Sequence, residues 1–393
     1  MAYPTATHHP FDDSSFVDGH HPLAALMIDK DPYATCLLLC HILVVLTYVA
    51  STLTGDLSQV DRLWSILPAM YAWICVVDER TALMACLSTL WSIRLTYNFY
   101  GRGGYGKWPR LWRGGEEDYR WGVLRSGTLG GRYWTLLTKR WILTAFNLIF
   151  VSLLQNYLLL YIASPSLLAW SMATTGGGGG IHDTNTTTRS STTATISTIT
   201  TTTTTTTLNV MDYIASLLFV ISLLGETVAD NQQRAFQNGK KEWTGTRRNN
   251  NTITAKRIDV TTTSHPFKER EYEDGFCQSG LFAIVRKPAY AFEQLVWMSY
   301  YLFSVAATAD YYDRPNYDDG HHRRYYYWNW SMGGWVSLCI LFQASGWLTE
   351  RISMSKYPTY SSYRERVPLY VPGVYSFRRM IVGIAVEDCK KGK

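Results

Sequence analysis

The chain has 393 residues, 47% of them hydrophobic and 14% aromatic, with a formal net charge of +6. The basic residues sit in separate loops and not along one arm or helix face, which argues against nucleic acid as the partner. Seven scattered cysteines without a C-x-x-C pair read as buried or bystander thiols, not a disulfide framework or a zinc site. The pairs His8-His9, His20-His21 and His321-His322 fall in polar segments, so no metal site is expected.

Apolar residues gather into long runs. A polar N-terminal tail (1–32) has no basic n-region, so no cleavable signal is expected in it. Seven stretches then approach the roughly 20 residues needed to cross a bilayer as helix. They are 33–53, 60–77, 81–99, 141–163, 208–229, 290–308 and 331–349. The expected fold is all-α, a polytopic membrane protein of about seven transmembrane helices. The connections 100–140 and 230–289 and the tail 350–393 are rich in Lys and Arg, whereas the other loops are neutral or acidic. Seven spans with a non-cytosolic N-terminus and a cytosolic C-terminus put every basic segment on one side. The closing KKGK resembles a di-lysine endoplasmic-reticulum retrieval signal, and Asn185-Thr186-Thr187 is a glycosylation sequon in a loop expected to be luminal.

Low-complexity inserts at 173–207, 238–265 and 309–328 interrupt this membrane domain (33–368), and a basic tail (369–393) follows it. Gly101, Gly103 and Gly106 have the G-x-G-x-x-G spacing of a dinucleotide-binding turn, but the run before them is an apolar helix and not a strand. These glycines are expected to end the third span.

Charged groups in or beside a span are costly and mark cavities or partners. Here Asp61, Arg62, Tyr97, Arg94 and Asn98 cluster in the front half, and Glu226, Asp230, Asn231, Arg234, Arg286 and Glu293 in the back half. Read singly, each is an interfacial anchor or an ion pair. As a set, with aromatic rings at Phe236, Tyr290, Trp297, Tyr357, Tyr360 and Tyr363, they suit a phosphorylated, ring-bearing ligand.

The ordered blocks SQVDRLWSILPAMYAW, WSIRLTYNFYGRGGY, EDYRWGVLR, ADNQQRAFQ, GLFAIVRKPAYAFEQLVW and ISMSKYPTYSSYRERVP resemble those of the steroid 5-alpha-reductase superfamily, in its branch catalogued as a membrane domain of unknown function. The resemblance spans about Leu57 to Pro368. It implies an endoplasmic-reticulum oxidoreductase that takes NADPH from the cytosol and reduces a conjugated carbon-carbon double bond of a sterol or other lipid enone. It further implies cofactor contacts by Asp230, Asn231 and Phe236, by Gly280, Arg286, Tyr290 and Glu293, and by Lys356, Tyr360 and Arg364. Tyr97 is the implied hydrogen-bond donor to the carbonyl, with Asp61 as its carboxyl partner. Lys287 and Ala289 stand where the block usually has His and Asn. Two alternatives remain open at this level. An R-x-P-x-Y…E arrangement at Arg286, Pro288, Tyr290 and Glu293 is compatible with an S-adenosylmethionine-dependent methyltransferase of the isoprenylcysteine or phospholipid type, and a non-catalytic lipid-binding relative is compatible with Lys287 and Ala289. Oligomeric state has no signal in the sequence.

Overall fold

The computed structural model describes residues 31–106, 115–126, 139–175, 207–250, 269–312 and 327–373, and their regular structure is all helical. The N-terminal tail up to residue 30, the sequon, the Thr tract, the paired histidines and the di-lysine end lie outside the described residues.

Helix α1 (Pro32–Thr54) starts where Asp31 accepts a hydrogen bond from the Tyr33 amide and Pro32 occupies the first turn, and it stops at Gly55, whose φ of 71° is left-handed. The expected second span is not one helix. A short turn at Leu57–Gln59 leads into α2 (Asp61–Trp64), and α3 (Leu67–Ile74) follows after a break. Pro68 cannot donate a backbone hydrogen bond and disfavours helix at the residue before it. Side chains from elsewhere repair the break. Ser92 Oγ donates to the Ser65 carbonyl at 2.5 Å, Thr96 Oγ1 donates to Ser65 Oγ at 2.9 Å, and Tyr105 Oη donates to the Arg62 carbonyl at 2.8 Å.

Helix α4 (Glu79–Gly101) opens with a capping box between Asp78 and Thr81. It closes in the glycine run as expected, with Gly103 taking φ 83°. Next come α5 (Tyr119–Ser126) and α6 (Arg140–Ile162), the latter containing a π-helical stretch at Asn147–Leu154. A polar seam joins α6 to α1 and α2. Asn147 meets Ser51, Asn156 Nδ2 donates to Thr47 Oγ1 at 3.1 Å, and Trp64 Nε1 donates to Gln155 Oε1 at 3.0 Å. Helix α7 (Ser164–Thr175) was expected to be loop. At about 1.5 Å per residue it is too short to cross a membrane, yet residues 164–169 are buried and Ser166 Oγ lies 2.5 Å from Tyr300 Oη.

Helix α8 (Val210–Asn250) runs well past the expected span and into the segment read as an insert. Stacking of Phe236 and Trp243 on Tyr272, in α9 (Glu269–Asp274), supports that extension. The chain then forms α10 (Pro288–Tyr312), α11 (Met332–Lys356) and α12 (Tyr360–Arg366). Of these elements α1, α6 and the Val210–Gly245 part of α8 are long and apolar enough to cross a membrane, which makes this an integral membrane protein on length and composition.

The core is one cluster to which α1, α3, α4, α6, α7, α8 and α10 all contribute, and within it α4, α8 and α10 carry the charged contacts. A Cβ on Gly225 of α8 would lie 2.4 Å from the Phe292 ring of α10, so only glycine permits this approach. Trp91 of α4 packs edge-on against Trp297 of α10 at 4.8 Å. One end of the trio is clamped by Arg80, whose guanidinium donates to both oxygens of Asp212 at 2.8 Å and also to Asp310. Asn209 Nδ2 holds the other oxygen of Asp310 at 2.9 Å. Because Asp212 is fully buried, Arg80→Met leaves a buried charge unpaired and is expected to cost about 3–5 kcal/mol. Asp310→Asn, at a position one-third exposed, should cost markedly less. Thermal unfolding of the two variants in detergent checks this order.

Candidate functional site

The opposite end of the same trio holds a buried charge network. Arg94, on the α4 face turned toward α8, donates to Glu226 at 2.6 Å and Asp230 at 2.8 Å and lies 3.8 Å from Glu293 of α10. Asp230 also accepts from Asn98 Nδ2 at 2.5 Å and from Arg102 at 2.9 Å. Glu293 accepts from both Trp91 Nε1, at 3.1 Å, and Trp297 Nε1, at 2.8 Å. Three carboxylates thus share one buried guanidinium, with the largely exposed Arg102 as a second, and Glu226 Oε2 is buried without a hydrogen bond. Asp230 and Glu293, expected at a cofactor, therefore act first as anchors between helices.

Beyond this network the chain presents basic and aromatic groups. Arg234 donates to Asn98 Oδ1 at 2.8 Å, and its guanidinium sits 5.4 Å from the Tyr97 ring. Gln232 Oε1 accepts from the Leu281 amide at 3.0 Å, beside Gly280 at φ 59°. Tyr357 lies between Lys240, at 5.0 Å, and Lys356, at 5.4 Å. Phe236 is fully buried and stacks on Tyr272, so it supports the site from below, whereas Asn231 is exposed.

A cleft of about 620 Å³ opens along α11, lined by Arg286, Gln343, Trp347, Glu350, Arg351, Met354, Ser355, Arg364 and Leu369. At its floor Arg286 pairs with Glu350 through two bonds of 2.9 and 2.8 Å and donates to the carbonyls of Arg364 and Val367. Tyr360 Oη donates to Glu350 at 2.7 Å, and burial with the adjacent carboxylate raises its pKa above the ordinary tyrosine range. Arg286 and Tyr360 are thus committed to pinning the 360–369 segment onto α11. Arg351, Arg364 and Lys356 keep exposed head groups, and Arg351 lies over the Trp347 ring at 4.5 Å.

A third group joins α5, α10 and α11. Arg120 pairs with Asp118 and donates to Ser345 Oγ at 2.9 Å, and Ser345 Oγ lies 3.5 Å from Tyr290 Oη. Tyr290 stacks on Phe342 at 4.7 Å. Burial holds the neighbouring Lys287 ammonium below the ordinary lysine range, against the pull of Tyr290 and Glu350.

The structure does not join Tyr97 to Asp61 by a hydrogen bond. Tyr97 is 67% exposed and beside Arg234, while Asp61 accepts from Trp121 Nε1 at 3.1 Å. Asp61 pairs with neither of the arginines grouped with it in the sequence, because Arg62 pairs with Asp56 and Arg94 with the α8 carboxylates. Gln232, Ser345, Glu350 and Arg351 escaped the sequence reading. For Glu350 a signal existed, since it is the first charge after the last apolar run.

Two outcomes follow. Glu350→Gln and Arg286→Lys each break the bidentate pair and should raise hydrogen exchange across 360–369 while leaving 230–243 unchanged. Cys277 is 4% exposed and burial pushes its thiol up to about 12, so it should resist a thiol reagent at pH 8 until the protein is unfolded.

Comparison with known proteins gives a family and not an activity. The family model described as "Protein of unknown function (DUF1295)" matches residues 47–176 and 190–367. An uncharacterized protein of Schizosaccharomyces pombe is 28% identical over 353 residues, covering 88% of this chain and 80% of the relative. No solved structure matches. With the match extending over most of its length, from the polar seam of α1 to the segment pinned by Arg286, the chain belongs to the DUF1295 family.

Proposed function

We propose that this protein is an NADPH-dependent oxidoreductase of the steroid 5-alpha-reductase type, a seven-span endoplasmic-reticulum protein with a cytosolic C-terminus that reduces a conjugated double bond of a sterol or other lipid enone. The spans are α1, the broken α2–α3 pair, α4, α6, α8, α10 and α11, with α7 dipping in without crossing. The observation that carries this reading is convergence. Arg286 and Arg364, from two separate blocks, meet at one cleft of about 620 Å³, with Tyr360 bonded to Glu350 of its lining, a volume suited to a small-molecule ligand.

The groups present fit the cofactor. Arg351 and Arg364 line the cleft and offer cationic heads for phosphates, Arg364 also lying 3.4 Å from Glu350, and Trp347 offers a ring face. Arg286 and Glu350 hold these groups in place. Bound NADPH supplies the hydride. Tyr97, exposed on the face of α4, is the hydroxyl that donates a hydrogen bond to the substrate carbonyl as enolate charge develops. The Arg234 cation over its ring stabilises negative charge there. Asp61, held by Trp121, fixes the start of α2 and does not touch Tyr97. A lipid-facing tyrosine suits a substrate that arrives through the bilayer.

Titration of NADPH, NADH and S-adenosylmethionine on detergent-purified protein tests this reading. NADPH should bind best, and Arg364→Ala or Arg351→Ala should weaken it about 10- to 100-fold, the worth of a hydrogen bond to a charged group. Tyr97→Phe should retain binding and abolish enone-dependent NADPH oxidation. Binding of S-adenosylmethionine alone would replace the reductase with a methyltransferase, and lipid affinity without either cofactor would indicate a non-catalytic relative.

A further inference from the structure

One face of α11 is exposed along its length. Val336, Ile340, Gln343, Trp347, Arg351 and Ser355 recur on it at helical spacing, and all six are exposed. The stripe is graded, aliphatic at Val336 and Ile340, aromatic at Trp347 and cationic at Arg351, whose guanidinium lies 4.5 Å over the Trp347 ring. From Val336 to Trp347 it rises about 16 Å, close to one leaflet of a hydrocarbon layer about 30 Å thick. A tryptophan followed by an arginine is the pattern of a membrane-water boundary.

The segment after α12 turns the outer half of this stripe into the cleft. Tyr370 Oη donates to the Phe342 carbonyl, and Leu369 packs beside Gly346, so the segment is fastened to α11 at its inner end as well as through Arg286 and Glu350. Arg286, Arg351 and Arg364 line the cleft against a single acidic side chain, Glu350. Arg286 and Arg364 both lean on that carboxylate, at 2.8 and 3.4 Å, and Arg351 has no acidic partner among the described residues. The cleft thus carries excess positive charge above an exposed aliphatic strip.

We propose that an anionic phospholipid binds here, its phosphate held by Arg351 and Arg364 and an acyl chain laid along Trp347, Ile340 and Val336. The inference rests on the proposed span α11. It touches the cofactor reading at one point: the same two guanidiniums are assigned there to NADPH phosphates, so lipid and cofactor compete. A free phosphate shares the headgroup chemistry but leaves the aliphatic strip uncovered.

Native mass spectrometry of the full-length protein, released from mixed micelles holding equal amounts of phosphatidylcholine and phosphatidylglycerol, tests the site. Phosphatidylglycerol should be retained in preference, and Arg351→Gln, at an exposed position, should cut its retention about tenfold, the worth of one charge-assisted hydrogen bond. Val336→Ser combined with Ile340→Ser should also lower retention and leave NADPH affinity in detergent unchanged. Soluble glycerol phosphate should not displace the lipid, whereas NADPH should. Equal retention of the two lipids, retention indifferent to Arg351→Gln, or displacement by glycerol phosphate overturns the lipid site. Selective retention by a protein that binds no NADPH keeps the lipid site and removes the cofactor reading, and NADPH binding without lipid preference does the reverse.

Discussion

The mutual register of α4, α8 and α10 depends on one guanidinium. Arg94 sits two turns from the end of α4, 12% exposed, and meets carboxylates from two other helices. Taking such a group out of water costs several kcal/mol unless geometry and further hydrogen bonds compensate. Compensation here comes from Glu226, Asp230 and Glu293, themselves held by Asn98, Arg102 and two tryptophan N–H groups. The arrangement fixes the axial register of α4, α8 and α10. A slide of one residue would carry a charge away from its partner by about 1.5 Å, so the helices are locked along their lengths as well as packed across them.

Hydropathy and architecture separate for the same reason. Helices α4, α10 and α11 carry Arg80, Arg94, Glu293 and Glu350, and none is apolar enough by itself to qualify as a span. Within the fold each of these charges meets at least one opposite charge, at the two ends of the trio and beneath the cleft. The property that weakens each helix as an isolated membrane segment is the property that binds it to its neighbours.

That division decides what the sequence could reveal. The long apolar runs located every long helix, and the glycine run after Phe99 ended α4 where the left-handed Gly103 is found. The clustering of Glu226, Asp230 and Arg94 was visible as charge at helical positions, but their partners were not, because a helix's rotation about its axis is set by tertiary packing. Tyr97 and Asp61 illustrate this: neighbouring blocks in sequence order, they face Arg234 and Trp121 respectively. Helix α7 was missed because a buried 12-residue helix carries neither a span's length nor a surface helix's polar face. Arg286 was read as a ligand-binding group, whereas its donors go to Glu350 and to main-chain carbonyls, acceptors that residue identity does not reveal.

The break between α2 and α3 has a consequence for assembly. Its exposed backbone and hydroxyl groups are satisfied by Ser92 and Thr96, residues made after it and located on a different helix. The Ser65 carbonyl and hydroxyl therefore have these partners only once α4 has packed beside the break. The two segments are a single unit of packing, so damage to the serine and threonine of the later helix would leave the break in the earlier one unsealed.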